Sequence, residues 1–169
     1  MHQGVEAMSP AELAAAVVSS HSSTVPVDIY RIIRAHGIII RNIRVDPNDF
    51  NGLYMRVRGR PVILLNSAQP GVRRRFTAAH ELYHHFEAQR GAWDGRPVFD
   101  SRPRSEMREE IREERQANRF AGALLIPQDA LREVVQRGLT VQQIARFFGV
   151  SVDATVIRLR DLGIHDVQD

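Results

Sequence analysis

Apolar residues recur first at one period and then at another along this chain, and the changes of period outline its elements. Ser9-Pro10-Ala11-Glu12 has the form of a capping box with Pro at the first helical position, which predicts a short helix over about 10–20 behind a loose tail at 1–8. Val27-Asp28-Ile29-Tyr30-Arg31-Ile32-Ile33-Arg34 repeats apolar residues at helical spacing until Gly37 stops it. Ile38-Ile39-Ile40 then reads as a buried strand. After the turn-rich Asp46-Pro47-Asn48-Asp49, Leu53–Arg58 and Val62–Leu65 form a hairpin across Gly59-Arg60. Helical spacing returns from Arg75 to Phe86. It returns again over 105–126, the clearest helix in the chain, which ends before Pro127. Thr140-Val141-Gln142-Gln143 is a second capping box, opening a helix through Phe148, and Ser151 caps another to Leu162. Helix, small antiparallel or mixed sheet, then helices predict an α+β fold, with no internal repeat.

With 169 residues, 43% hydrophobic and 25% charged, the chain suits one compact unit and is not disordered. The apolar Ala11–Val18 has no basic residue before it and carries Glu12, so it does not read as a signal peptide. No run reaches membrane-spanning length, and the expectation is a soluble cytoplasmic protein. There is no cysteine, which excludes disulfides and thiolate metal sites and leaves His and carboxylates as ligands. A formal charge of +3 permits a nucleic-acid or acidic partner without demanding one. Gly91 to Pro103 reads as a long irregular loop, either a lid or specificity element or a surface loop with Trp93 tucked onto the body.

The candidate chemistry centres on His80-Glu81-x-x-His84. Histidines at i and i+4 share one helical face, so both imidazoles can reach one ion of the Zn²⁺ type. Glu81, about 100° further round, is placed to take a proton from water, and the pattern points to metal-assisted hydrolysis. A metzincin would carry a third histidine six residues past His84; this chain has Arg90 there, so the third ligand comes from elsewhere.

Projecting 105–126 at about 100° per residue puts Met107, Ile111, Ala117, Phe120, Ala121, Leu124 and Leu125 on one half of the cylinder. Glu110, Glu114 and Asn118 fall within that half, while Arg108, Arg112, Arg115 and Arg119 form a stripe opposite, most simply a solvated face near acidic neighbours, with phosphate or partner binding as the alternative. A carboxylate on a core-facing stripe needs a cation. Glu114 is favoured as the ligand, with Asn118 one turn on to orient a ligand histidine; Glu110 and Glu113 are its rivals. His85 projects about 100° away from His84 and lies off the site.

The two short C-terminal helices suggest helix-turn-helix. Val152 and Asp153 stand where a DNA reader needs basic residues, and Asp153 would repel phosphate, with Arg158 and Arg160 offering partial compensation. The segment is expected to dock on the body through Ile144, Phe147, Phe148, Val156 and Leu159. Any DNA contact would be weak and sequence-independent.

The stretch Arg75-Phe76-Thr77-Ala78-Ala79-His80-Glu81-Leu82-Tyr83-His84, followed by Glu114-Arg115-Gln116-Ala117-Asn118-Arg119-Phe120-Ala121 and Leu124-Leu125-Ile126-Pro127, resembles the ImmA/IrrE metallopeptidase family. The likeness spans roughly 25–165, including Val27-Asp28-Ile29-Tyr30, Val62–Asn66 and Gly149–Gly163. It implies a zincin-like fold with three parts: a tail and short helix at 1–24, a metallopeptidase domain at 25–137, and a helix-turn-helix-like segment at 138–169 packed on the body. It also implies one Zn²⁺, or Mn²⁺ in its place, on His80, His84 and Glu114, with Glu81 as general base in a gluzincin-like arrangement. Tyr83 stands where many members carry Gly, either as a hydroxyl near the site or as a packing residue. The implied function is cleavage of one specific protein, a helix-turn-helix repressor of the XRE type encoded nearby, in a stress, phage or mobile-element response. The alternative is a non-catalytic regulator or toxin–antitoxin partner that binds a repressor or DNA.

Overall fold

The computed structural model describes residues 8–21, 24–91 and 104–168, the side chains of 104–110 excepted. The 1–7 tail, the stretch 92–103 with Trp93, and the side chains of Met107, Arg108 and Glu110 therefore lie outside the described residues. Helix α1 (Pro10–His21) opens on the expected capping box: the Ser9 N–H donates to Glu12 Oε2 at 2.7 Å and the Glu12 N–H to Ser9 Oγ at 3.3 Å. Asp28 caps α2 (Ile29–Ala35) by accepting from the Arg31 N–H at 3.0 Å.

Strands β1 (Ile39–Ile43), β2 (Gly52–Val57) and β3 (Arg60–Asn66) form a mixed sheet in the order β1-β3-β2, with β1 parallel and β2 antiparallel to β3. β1 starts one residue later than the apolar run suggests, and its residues are half-buried or exposed; only Ile38, just before it, is in the core. The β2–β3 turn is Arg58-Gly59, at φ 51° and 78°, one residue earlier than expected. These are the positive angles of a type I′ turn, whose twist matches the hairpin. Gly52 lies where β2 crosses the next helix, and a Cβ there would collide with Thr77 Cγ2. Asn66, fully buried at the end of β3, organises the 44–51 loop: its amide donates to the carbonyls of Val45 at 3.2 Å and Phe50 at 2.8 Å, and its carbonyl accepts from the Ala68 N–H at 3.0 Å.

Below the sheet runs α3 (Gly71–Gln89), followed by α4 (Arg104–Leu125), α5 (Gln128–Gln136), α6 (Val141–Phe148) and α7 (Val152–Asp161), which makes seven helices among the described residues. Ala78, Ala79 and Leu82 of α3 and Ala117, Phe120, Ala121 and Leu124 of α4 share one apolar core with Ala14 and Val17 of α1. Ile111 departs from the projected face, being 49% exposed; among 111–125, the α4 positions whose side chains are described, the first buried one is Ala117. α5 was not foreseen: Leu131 and Val134 are buried one turn apart behind Pro127. No helix among the described residues is long and apolar enough to cross a membrane.

The α6 capping box forms as expected, with the Thr140 N–H on Gln143 Oε1 at 2.9 Å. Ile144, Phe148 and Leu159 are buried, whereas Phe147 and Val156 are each 38% exposed. The inward face of α7 carries Thr155, Arg158, Leu159 and Leu162, an i, i+3, i+4, i+7 set, and Val156 falls about 100° off it. Arg158 is thus turned into the protein, not toward a nucleic acid. Arg75 of α3 ties this segment to the body: its Nε donates to the Gly149 carbonyl at 3.1 Å, and its Nη2 to those of Val27 at 3.0 Å and Phe148 at 3.4 Å. Charged donors to carbonyls are individually worth more than neutral ones, and removing this one strands several partly buried acceptors. Arg75→Leu is expected to lower unfolding stability by about 3 kcal/mol, read as a drop in the urea midpoint.

Candidate metal centre

The apolar wrap of α3 leaves His80 and His84 on one face, half-buried, and α4 brings Glu114 against them from 30 residues away in sequence. The two Nε2 atoms are 3.2 Å apart, Glu114 Oε2 lies 3.1 Å from His80 Nε2, and Glu114 Oε1 lies 3.3 Å from His84 Nε2. Ligands about 2.0–2.1 Å from an ion at tetrahedral angles are separated by about 3.3 Å, so this triangle has the dimensions of one face of a zinc coordination sphere. The chemistry of the donors agrees: two imidazole nitrogens and a carboxylate oxygen converging on one point are the donor set that a zinc-type cation takes, and the carboxylate balances part of its charge. These three are the group among the described residues that can hold a metal ion.

Glu114 is less enclosed than its place on the helical projection suggests, with its side chain 51% exposed against 14% for His80 and 12% for His84. Its open side leaves the donor triangle reachable from solvent. Hydrogen bonds from His80 and His84 hold its carboxyl well below the usual carboxylate range. Burial alone would lower His80, but the hydrogen bond to Glu114 and the charges of Glu81 and Glu114 outweigh it, and the ring is raised. Asn118 Oδ1 sits 3.0 Å from His80 Nδ1. An amide oxygen there places the proton on Nδ1 and leaves Nε2 free to ligate.

Glu81 is 7% exposed, and its Oε2 accepts the Tyr54 backbone N–H at 2.8 Å. Burial pushes its carboxyl up, against the charges of His80 and His84 and that hydrogen bond. The N–H is available because β2 is an edge strand: Asn51 O accepts from Asn66 N–H, so 51 turns its backbone to β3 and 52, 54 and 56 turn theirs outward. Sequence reasoning did not find Tyr54, since a backbone donor leaves no mark in residue type.

Tyr83 is 3% exposed, its ring against Phe120, and its hydroxyl donates to Gln116 Oε1 at 3.2 Å. Burial, with the Glu87 charge, pushes that phenol up to about 12, so the residue packs and stays protonated. His85 is off the triangle: its Nδ1 is 3.2 Å from the Tyr54 hydroxyl and its Nε2 3.0 Å from Gln89 Nε2, and burial pushes it down to about 4. Arg90 pairs with Glu87 at 2.9 Å. Glu113 is not part of the donor triangle, and the Glu110 side chain lies outside the described residues. Because Asn118 acts through His80, Asn118→Ala is expected to weaken metal binding about 10–100-fold, measured by competition against a chelator.

A family model for the IrrE N-terminal-like domain, Peptidase_M78, matches residues 33–160, a span that holds both helices of the donor triangle. No curated protein matches the chain. Among solved structures, a Mycobacterium tuberculosis transcriptional regulator superposes with a TM-score of 0.67 and 17% identity, over 89% of this chain and 46% of that one. The resemblance there is one of fold, and the chain spans less than half of that regulator's length. The family match covers well over half of the sequence, supports a metallopeptidase-type role, and carries the conclusion that the chain belongs to the family of IrrE N-terminal-like domains.

Proposed function

We propose that this protein is a zinc-dependent endopeptidase whose substrate is a helix-turn-helix repressor of the XRE type. The observation that carries the reading is the convergence of His80, His84 and Glu114 on one point, with the buried Glu81 carboxylate beside them. His80, His84 and Glu114 would hold the ion. A zinc-type cation supplies Lewis acidity toward a scissile carbonyl and makes water more acidic.

The chain's own part is the handling of the proton. The Tyr54 N–H fixes Oε2 of Glu81 and leaves Oε1 to take a proton from the attacking water. Burial makes the carboxylate a stronger base than a solvated one. As the C–N bond breaks, Glu81 returns the proton to the departing amine, so the proton balance closes. An extended substrate can add to the outward edge of β2, where Gly52 and Arg56 offer backbone groups beside Tyr54.

The test is to incubate the zinc-loaded protein with the helix-turn-helix repressor encoded beside it. Cleavage at one site is expected, stopped by a chelator and restored by Zn²⁺. A repressor that stays intact yet bound to the loaded protein would make this chain a binding regulator instead.

A further inference from the structure

One turn of α4 beyond Glu114, a cavity of about 390 Å³ opens between α3, α4 and α7. Asn118, which holds His80, is part of its wall, so the cavity adjoins the metal centre. Arg158 is 7% exposed and also lines it. Its Nε donates to the Ile126 carbonyl at 3.2 Å, which fixes the plane of the guanidinium, while its Nη groups have no hydrogen-bond partner among the described residues. A guanidinium held in one plane, with its four Nη N–H donors free of partners among the described residues and facing the cavity, is set to receive an anion there.

Two more guanidiniums stand on the same wall. Arg115 and Arg119, at i and i+4 on α4, make no hydrogen bond or ion pair among the described residues. Against these three charges the lining offers one carboxylate, Asp161, whose charge acts on Arg158 from beyond ion-pair distance and offsets only part of the positive charge. Phe76 and Ile157 make the rest of the wall apolar, which suits the methylene stem of an acidic side chain better than a free, fully hydrated anion.

We propose that this cavity is a specificity subsite that takes an aspartate or glutamate side chain of the protein substrate, held by Arg158 with Arg115 and Arg119. The fixed plane of Arg158 allows two parallel N–H···O bonds to a carboxylate, a geometry that a neutral amide fills poorly. The role as a subsite rests on the peptidase reading above; the binding of an acidic residue does not.

Two measurements separate them. In the first, the zinc-loaded full chain is titrated with acetyl-Ala-Glu-Ala-amide, with its Gln counterpart and with inorganic phosphate, following the arginine Nε–H resonances by NMR. The Glu peptide is expected to shift Arg158 and to bind at least about tenfold tighter than the Gln peptide. Arg115→Gln combined with Arg119→Gln, both at exposed positions, and separately Arg158→Leu, should reduce that ratio toward one. Saturation by phosphate with no response to the Glu peptide would overturn the proposal in favour of a free-anion site, and silence toward all three would overturn it outright.

In the second, a library of quenched fluorogenic peptides is cleaved by the same protein. Asp and Glu should be preferred over Asn and Gln by about 10-fold or more at a single position, mainly through KM. That preference should collapse in the double variant. A flat profile, or one unchanged in the variants, overturns the subsite. Binding of the Glu peptide with no peptide cleaved supports the acidic-residue site and overturns the peptidase reading.

Discussion

Glu81→Gln is expected to keep its metal and its fold while lowering peptide cleavage by about 10²–10⁴-fold. The substitution is nearly isosteric, and an amide oxygen can accept the Tyr54 N–H in place of Oε2. Glu81 is also not one of the three converging donors, so ligation does not depend on it. What the amide cannot do is take a proton at its other end. The loss therefore falls on the transition state, and it should appear in kcat more than in KM. The buried setting strengthens the expectation, because a site 7% exposed leaves little room for bulk water to substitute as base. Zinc analysis, circular dichroism and cleavage on one preparation give the result. A Gln variant that still cleaves at the wild-type rate would move the base elsewhere, and one that still produces the biological output without cleavage would favour a regulator that acts by binding.

The features that were legible in the sequence are those whose physics is local. His80 and His84 meet because four residues make about one helical turn. The boxes at Ser9–Glu12 and Thr140–Gln143 form because cap and partner are three residues apart. Glu114 was legible for a less secure reason. It was favoured as a carboxylate too costly to bury alone, yet half of its side chain is exposed, and its proximity to His80 and His84 follows from how α4 packs on α3. Tertiary packing also explains the misses. Ile111 fits the apolar period but is exposed, because no described element packs over α4 there as it does at Ala117 and Phe120. Val156 and Leu159 share a spacing that fits two faces of α7, and the protein uses the one that turns Arg158 inward instead. No residue pattern announces the Tyr54 N–H, because every residue but proline carries that donor.

The other large effect expected is that of the metal, because the three candidate ligands lie on two different helices, α3 and α4. His80→Ala, His84→Ala and Glu114→Ala are each expected to leave the purified protein without stoichiometric zinc after dialysis, whereas Glu113→Ala should retain it. A ligand bound only by the folded state stabilises that state by mass action, about 4 kcal/mol at a thousandfold excess over Kd. For a chain of this size that corresponds to roughly 10 °C in Tm. Chelator should therefore lower the melting temperature of the wild type and of Glu113→Ala by about that much, and leave the three ligand variants unmoved because they have no ion to lose. The comparison separates a missing metal from a damaged fold, since a variant that merely misfolds would melt low in a zinc-replete buffer while still responding to the chelator. Glu114 carries the sharpest risk. It is the most exposed of the three, and two neighbouring carboxylates, Glu110 and Glu113, lie on the same helix within four residues. Full occupancy with an undiminished chelator shift in Glu114→Ala would show that the ion is held by His80, His84 and another carboxylate of α4, and the donor triangle would have to be redrawn.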